Sequence, residues 1–174
     1  MDKKIDIPEN ALVMMVGIAG VGKTTLAKKR FGEEAVISSD AIRKELYGDE
    51  AVQGDPREVF DIFNERIEKR LKNNQLTVAD ATNLDDMGRR KLYRIASENH
   101  RPVYALVFNV PLEVAKRQNE LRERKVPEDV LVRQFDQLSN VYHKLQDELP
   151  EDHIIDIAVT YERQEELKNQ KDER

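Results

Sequence analysis

Hydrophobic and polar positions follow two periods along this chain, which predict strands and helices in turn. Short apolar runs bounded by turn-forming residues predict five strands, and strands that are apolar on both faces are typical of a buried parallel sheet. The predicted strands are Leu12–Val16, 35–37, 76–79, 103–110 and 154–159. Apolar residues at helical spacing predict helices at about 23–31, 39–48, 59–71, 86–99, 111–121 and 128–148.

The order of these elements predicts the fold class. Strands that alternate with helices indicate an α/β domain with a mostly parallel five-stranded sheet and helices on both faces. We expect residues 1–174 to form a single domain, with a helical lid at about 111–130 and a charged C-terminal helix at about 161–174. Ligands of such sheets bind beyond the carboxyl ends of the strands. The chemistry should therefore follow the first four strands.

Composition narrows the class of protein. The 174 residues suffice for one domain with its own core. The chain has no cysteine, which excludes a disulfide scaffold, a thiolate metal site and a cysteine nucleophile. Charged residues make up 36% of the chain, and the formal net charge is −5. This acidic balance argues against a broad nucleic-acid surface, but it allows a narrow basic pocket for one phosphate or a strand end.

The sequence predicts no membrane span and no targeting segment. The longest apolar run, residues 11–19, is far shorter than the roughly 20 residues that a spanning helix needs. Acidic residues precede this run, which is unlike a secretory signal. The absence of cysteine also fits a reducing compartment. We therefore expect a cytoplasmic protein with no membrane partner.

A glycine-rich segment follows the first strand. Residues 17–24, Gly-Ile-Ala-Gly-Val-Gly-Lys-Thr, match the pattern G-x-x-x-x-G-K-[ST] between a buried strand and a helix. The glycines let the backbone curl around an anion, and the helix N-terminus adds partial positive charge. Lys23 would reach the β- and γ-phosphates of ATP, and the Thr24 hydroxyl would bind Mg²⁺. The pattern predicts a three-layer P-loop NTPase or kinase fold. The candidate nucleotide-binding residues are Gly17, Ile18, Ala19, Gly20, Val21, Gly22, Lys23, Thr24 and Thr25.

Two charged residues follow the second strand. Asp40 could accept the proton of an incoming hydroxyl as a general base. Arg43 lies one helical turn further on and could pair with an anionic substrate group. The alternative is that Asp40 only caps the helix and that Arg43 is solvated. The phosphate loop nearby favours the catalytic interpretation.

Three polar residues lie at the end of the third strand and directly after it. Asp80 is a candidate for holding Mg²⁺ through water and for contacting substrate. Ala81 follows it in place of the glutamate that ATP-hydrolysing machines use to activate water, which favours a kinase. Thr82 and Asn83 either orient the substrate or cap the next helix, and both interpretations stay open.

Basic residues cluster at the end of the predicted helix 111–121. Arginines that close over a triphosphate would offset its developing charge and exclude water. We expect Arg122 and Arg124 to act in this way, ahead of Arg117. Because glutamates alternate with these arginines, an ordinary salt-bridged helix face is the alternative.

Four short segments occur in an order and spacing typical of one enzyme family. They are 17–24, Ser38-Ser39-Asp40-x-x-Arg43, Val-Ala-Asp-Ala-Thr-Asn at 78–83, and Phe-Asn-Val-Pro at 108–111. Together they resemble the polynucleotide 5′-hydroxyl kinases, especially the kinase module of bacterial end-healing kinase–phosphatase–ligases. The likeness runs from about residue 8 to 158. No segment resembles the phosphatase or ligase modules, so we expect a stand-alone kinase.

The resemblance implies an activity and roles for single residues. The activity is ATP-dependent, Mg²⁺-dependent phosphorylation of a DNA or RNA 5′-hydroxyl. Lys23 and Thr24 would bind phosphate and Mg²⁺, and Asp40 would be the general base. Arg43 would contact the acceptor's phosphate, while Arg122, with Arg124, would contact the donor phosphates. Members of this architecture are often dimeric, so a homodimer is one expected state.

Two alternative functions are kept. The same motif order recurs more loosely in zeta-toxin-like and antibiotic phosphotransferases, which phosphorylate small molecules or sugar nucleotides. Both classes need an activated hydroxyl in line with a γ-phosphate, so the loop and Asp40 do not separate them. The second alternative is a nucleotide-binding regulator without transfer activity, against which Asp40 and the basic lid count.

Overall fold

The structure is a computed structural model that describes residues 6–49, 52, 54–122 and 125–158. Within these ranges, five strands form one parallel sheet in the order β2-β3-β1-β4-β5. The strands are β1 (Leu12–Val16), β2 (Val36–Ser38), β3 (Thr77–Asp80), β4 (Val103–Asn109) and β5 (Ile154–Ala158). The predicted five-stranded parallel sheet is confirmed.

Six α-helices connect these strands. They are α1 (Lys23–Phe31), α2 (Ser39–Tyr47), α3 (Pro56–Lys72), α4 (Asp86–Glu98), α5 (Leu112–Leu121) and α6 (Glu128–Glu148). The connection from β1 leads to β2 at one edge of the sheet, whereas the later connections, from β2 to β3, β4 and β5, all run in the opposite direction across the sheet. Because parallel crossovers are right-handed, α1 covers one face of the sheet while α3, α4 and α6 cover the other. The three-layer arrangement is therefore as predicted.

The predicted bounds of the second strand and the third helix differ from the structure. Ala35 ends a 3₁₀ turn, Glu33–Ala35, in which its N–H donates to the Gly32 carbonyl, so β2 begins one residue later than expected. Asp55 caps α3 by accepting a hydrogen bond from the N–H of Arg57, so α3 begins at Pro56 instead of residue 59. The apolar pattern missed this first turn because its side chains are exposed.

The centre of the sheet positions the chemistry. Every residue of β1 is fully buried, since β3 and β4 flank it and helices cover both faces. The register pairs Ser38 with Asp80 and Met14 with Ala79. The segments that follow β1, β2 and β3 therefore meet at one edge of the sheet. None of the helices in the described ranges has the length and apolarity of a membrane span.

Some predictions fall outside the described residues. Val159, Arg124 and the expected charged helix at 161–174 belong to this group. The single domain 1–174 stays a prediction.

Candidate active site

The segment after β1 forms a tight loop that leads into α1. Gly20 has a φ of 81° and Gly22 a φ of 93°, left-handed values that favour glycine. The N–H of Gly17 donates to the carbonyl oxygen of Thr82 at 3.1 Å, which ties the loop to the segment after β3. The N-terminus of α1 thus opens onto a curled backbone, which is the arrangement that holds phosphate groups.

Lys23 is buried beneath this loop and is only 7% exposed. Its Nζ donates to the carbonyl oxygens of Gly17 at 2.9 Å and Ile18 at 2.6 Å. Burial lowers the pKa of Lys23 to about 8, although the carboxylates of Asp80 and Asp40 oppose this shift. An ammonium bound only to carbonyl oxygens gains a stronger partner when a phosphate enters, because hydrogen bonds between charged groups are the stronger ones.

Thr24 and Asp80 bring a hydroxyl and a carboxylate together at the start of α1. The Thr24 hydroxyl donates to Oδ2 of Asp80 at 2.6 Å. Burial raises the pKa of Asp80, although the Thr24 hydrogen bond and Lys23 act against this. In the described part of the chain, no group of three or more His, Cys, Asp or Glu side chains could hold a metal ion. A hydroxyl and one carboxylate fit Mg²⁺ all the same, because Mg²⁺ is commonly held by one or two carboxylates together with substrate phosphates.

Asp40 lies at the same edge of the sheet, beyond β2. The Ser38 side chain accepts a hydrogen bond from the N–H of Ala41 and is therefore the cap of α2. The Asp40 carboxylate is left 64% exposed, and its Oδ1 accepts a hydrogen bond from Nη1 of Arg43 at 2.6 Å. It is close enough to influence the pKa of Lys23. The helix-capping role that was the alternative for Asp40 thus falls to Ser38.

Arg43 is held between the site and α3. Its side chain is 16% exposed, and its guanidinium carbon lies 6.0 Å from the centroid of the Phe60 ring. Nε is buried and has no hydrogen-bond partner among the described residues. A guanidinium carries five N–H donors, so the contact with Asp40 leaves donors for a substrate anion.

The lid reaches the loop through Arg122, which directly follows α5. A Cβ atom added to Gly20 would lie 2.6 Å from Nη1 of Arg122, so the guanidinium packs on the loop itself. This Nη1 is buried and lacks a hydrogen-bond partner in the described ranges. The Asn119 side chain donates to the carbonyl of Val126 at 2.6 Å and accepts from its N–H at 2.8 Å, so these bonds join the two ends of the segment that contains Arg122.

Asn83 requires a correction. Its side chain is buried, and Nδ2 donates to the carbonyl oxygens of Met15 at 2.6 Å and Ala79 at 3.1 Å. This amide joins β1 to β3, because it bonds main-chain groups of both strands. The expected substrate contact through this nitrogen is therefore replaced by a structural role.

The other predicted residues divide between the loop, the sheet edge and the lid. Thr82 contributes its main-chain carbonyl to the phosphate loop. Thr25 is half-buried in the first turn of α1. Arg117 is exposed on α5. The structure therefore brings Lys23, Thr24, Asp80, Asp40 and Arg122 together, with Arg43 bound to Asp40.

Sequence reasoning missed Gln134 of α6. The N–H of Ala19 in the phosphate loop donates to Oε1 of Gln134 at 2.9 Å, which connects α6 to the loop. Gln134 lies at helical spacing between the buried residues Leu131 and Leu138. The sequence signal that could have identified Gln134 is a polar residue at a helix position where the periodicity predicts an apolar one.

Sequence reasoning also missed the buried Arg89 of α4, which is 1% exposed. Its Nε donates to Glu148 at 2.9 Å, Nη2 to Asp86 at 2.6 Å, and Nη1 to the carbonyl of Asn83 at 3.3 Å. Arg89 thereby links α4, the end of α6 and the segment after β3. It lies three residues before the buried Leu92, so the helical pattern could have placed it on the buried face.

The strand order and the glycine-rich loop between β1 and α1 define a P-loop kinase fold. The chain belongs to the AAA_33 family, whose model, described as an AAA domain, matches residues 12–145. This family membership supports phosphotransferase activity and nucleotide binding, and it implies the use of ATP and usually of Mg²⁺.

Known proteins share this sequence and fold to different degrees. The L-seryl-tRNA(Sec) kinase of Methanococcus maripaludis is 26% identical over 149 residues, which cover 80% of this chain and 57% of that protein. A gluconokinase from Sinorhizobium meliloti 1021 matches with a TM-score of 0.55 and 19% identity, over 87% of this chain and 84% of that one. A chain in the Pnkp1/Rnl/Hen1 complex matches with a TM-score of 0.56 and 21% identity, over 72% of this chain and 43% of that one. The two structures share the fold alone.

Proposed function

We propose that this protein is an ATP-dependent polynucleotide kinase that transfers the γ-phosphate of ATP to a 5′-hydroxyl end of DNA or RNA. The observation that carries the proposal is the position of the Asp40 carboxylate. It lies beyond β2, largely exposed, with Arg43 at 2.6 Å and near enough to Lys23 to influence its pKa. A base, an anion-binding arginine and a phosphate loop at one edge suit an acceptor that carries both a hydroxyl and a phosphate.

The proposed reaction is a direct phosphoryl transfer. The acceptor oxygen forms a bond to the γ-phosphorus while the bond from this phosphorus to the β-phosphate oxygen breaks, and the hydroxyl proton passes to Asp40. Lys23 and Arg122 offset the negative charge on the transferred and departing groups. Mg²⁺, held by Thr24 and through water by Asp80, would supply further positive charge to the phosphates.

Arg43 favours a polynucleotide over a simple alcohol. The nucleotide at a 5′ end carries its own phosphate on the 3′ side of the sugar, close to the hydroxyl that accepts the new group. The donors of Arg43 that Asp40 does not use are available for such an anion. A planar guanidinium also matches phosphate geometry better than an ammonium does.

Replacing Arg43 by alanine should therefore lower kcat/KM about 10- to 100-fold more for an acceptor with a 3′-phosphate than for a nucleoside without one, because one charge-assisted contact is lost. The measurement compares a nucleoside 3′-monophosphate with the free nucleoside as acceptors. Arg57→Ala, at an exposed arginine on α3, is the control and should change neither value. An equal loss on both acceptors would show that Arg43 serves only to hold Asp40.

The direct test of the proposed function is transfer of label from γ-labelled ATP. We expect a 5′-hydroxyl oligonucleotide to be labelled, and the same oligonucleotide with a 5′-phosphate to remain unlabelled. A panel of small hydroxyl compounds runs beside them. The polynucleotide assignment fails if the small compounds are labelled and the oligonucleotide is not.

A second candidate is a kinase whose acceptor hydroxyl is not a polynucleotide 5′ end, such as a small molecule, a sugar nucleotide or a seryl group on tRNA. The relative that is 26% identical favours it, since its name gives the acceptor as a seryl group carried on tRNA. The acceptor panel therefore includes a seryl-tRNA and a sugar nucleotide. If no acceptor is labelled while ATP still binds, the protein is a nucleotide-binding regulator instead.

A further inference from the structure

One face of α4 combines positive charge with an exposed apolar side chain. Arg90, Lys91 and Arg94 are all exposed, and Met87, one turn earlier, is 76% exposed. Positions three and four apart share one side of a helix, so these four side chains form a single surface. We call it the α4 basic face. The opposite side of α4 is buried at Arg89, Leu92, Ile95 and Ala96.

The three cations of this face make no ion pair or hydrogen bond with any described residue, whereas some other surface cations do. Lys144 binds Asp86 at 2.7 Å, and Arg66 binds Glu45 at 2.7 Å. The chain carries a net charge of −5, so acidic partners are plentiful. Three unpaired positive charges on one side of an acidic protein create a local positive potential that attracts a polyanion.

Hydrogen bonds hold α4 next to the edge of the sheet where the candidate active-site residues lie. Asp85 caps α4 by accepting a hydrogen bond from the N–H of Gly88 at 3.0 Å. Arg89, on the buried side, donates to the carbonyl of Asn83, whose amide in turn is bonded to β1 and β3. These hydrogen bonds connect α4 to β3, the strand that ends in Asp80. The α4 basic face begins near the edge of the sheet that carries Asp80, and it extends away from this edge by about 1.5 Å per residue.

We propose that the α4 basic face binds the sugar–phosphate backbone of the nucleic-acid acceptor, beyond the terminal nucleotide that enters the site. This inference rests on the proposed function, and it adds a second contact region for a long acceptor. The cations neutralise backbone phosphates, and Met87 offers apolar contact to a base or sugar beside them. A surface of three cations suits a few phosphates of one strand and agrees with the net negative charge of the chain.

Charge count also separates a nucleic acid from a membrane as the occupant. Basic clusters that hold a protein on anionic lipid usually contain four to eight Lys or Arg residues. The α4 basic face has three, on a helix that is neither long nor apolar enough to cross a bilayer. The phosphodiester backbone is therefore the favoured occupant.

The test compares two triple variants of the full chain. One is Arg90→Ser with Lys91→Ser and Arg94→Ser, which removes the charges of the α4 basic face. The matched control is Lys28→Ser with Lys29→Ser and Arg30→Ser, which removes three exposed charges from α1 on the opposite side of the sheet. A third variant, Arg90→Lys with Arg94→Lys, keeps the charge. All these side chains are exposed, and far-UV circular dichroism verifies the fold of each variant.

Binding of a 5′-hydroxyl strand of about 20 nucleotides is measured by fluorescence anisotropy between about 50 and 200 mM salt. The α4 variant should bind about tenfold more weakly at low salt, and the slope of log K against log salt should fall by about 2, since each lost contact to a single strand contributes about 0.7. The α1 control and the lysine variant should bind nearly as the parent protein does. With a trinucleotide as acceptor, kcat/KM should stay within about twofold, because such a strand has only one phosphate beyond the phosphate that Arg43 would bind, too few for three cations.

Three results would overturn the inference: unchanged binding in the α4 variant, equal weakening in the α1 control, or an equal loss with the trinucleotide. Loss of binding to phosphatidylserine vesicles with unchanged oligonucleotide binding would also overturn it and assign the face to lipid. Because anisotropy measures binding alone, it reports on this face even if no oligonucleotide is phosphorylated. Failure of the inference and failure of the proposed function are thus distinguishable.

Discussion

Replacing Asp40 by alanine should lower kcat by about 10³-fold while nucleotide affinity stays within about threefold, because a general base acts on the transfer step and not on the donor. The Asp40 carboxylate bonds Arg43 and contacts no atom of the phosphate loop by hydrogen bond in the described residues. Its removal therefore leaves the loop geometry in place. The measurement is single-turnover phosphorylation of a 5′-hydroxyl oligonucleotide, with ATP affinity determined separately by titration calorimetry.

Asp40→Asn is the control for this variant. Asparagine keeps the size of the side chain and an oxygen that can accept the hydrogen bond from Arg43, but it cannot take a proton at neutral pH. It should therefore be nearly as slow as the alanine variant. The assays run near pH 6.5. This pH is well below the pKa of Lys23, about 8, so the lysine stays charged when the Asp40 carboxylate is removed. Lost ATP affinity with a normal transfer rate would contradict the base assignment.

Replacing Arg89 by methionine should lower the free energy of unfolding by about 3 kcal/mol, because it removes one partner of a buried ionic network. Arg89 is 1% exposed, and its loss leaves the Asn83 carbonyl without its donor and leaves Glu148 with only the weaker hydrogen bond from the Tyr93 hydroxyl at 3.3 Å. Glu148 retains some solvent contact, so we expect the lower end of the usual range for such changes. Urea unfolding followed by circular dichroism measures the effect.

The adjacent Arg90 supplies the matched control. It is exposed on the same helix, so Arg90→Met should change the unfolding free energy by no more than about 0.5 kcal/mol. Combining Arg89→Met with Glu148→Leu should recover part of the loss, since the unpaired carboxylate is then absent as well. Equal stability of the Arg89 and Arg90 variants would show that the network contributes nothing.

Local patterns predicted most of the fold. The apolar runs located all five strands. The central strands β1 and β3 are buried on both faces and have few polar positions to interrupt the pattern, whereas the edge strands β2 and β5 are only partly buried and were marked by short apolar runs. The start of α3 was missed because its exposed first turn carries no apolar signal. The limits of β2 and β3 were each one residue too early, and for β2 this is because the buried Ala35 ends a 3₁₀ turn. The helices between the strands predicted that the strands are parallel, because two adjacent parallel strands need a long crossover connection between them.

The candidate site was predictable only in part. The phosphate loop and Asp40 follow directly from motifs whose residues are close in sequence. The pairing of Thr24 with Asp80 was predicted as a shared metal site, and the structure brings their side chains together at 2.6 Å. For Asn83 the sequence left substrate contact and helix capping open, and local patterns could not show that its amide bonds carbonyl groups of two different strands, one of them 68 residues away.

The sequence by itself determined which segments become strands and helices, where a phosphate loop forms, and which carboxylate follows the second strand. Periodicity and turn-forming residues depend on only a few neighbouring positions, so these features can be predicted from a single sequence. Only the tertiary structure decided that Gln134 reaches the loop across 115 residues and that Arg122 packs on Gly20. It alone also placed the Arg89 network and showed that the cations of the α4 basic face have no ion-pair partner among the described residues. These features depend on how distant elements pack together, and local preferences do not specify that packing.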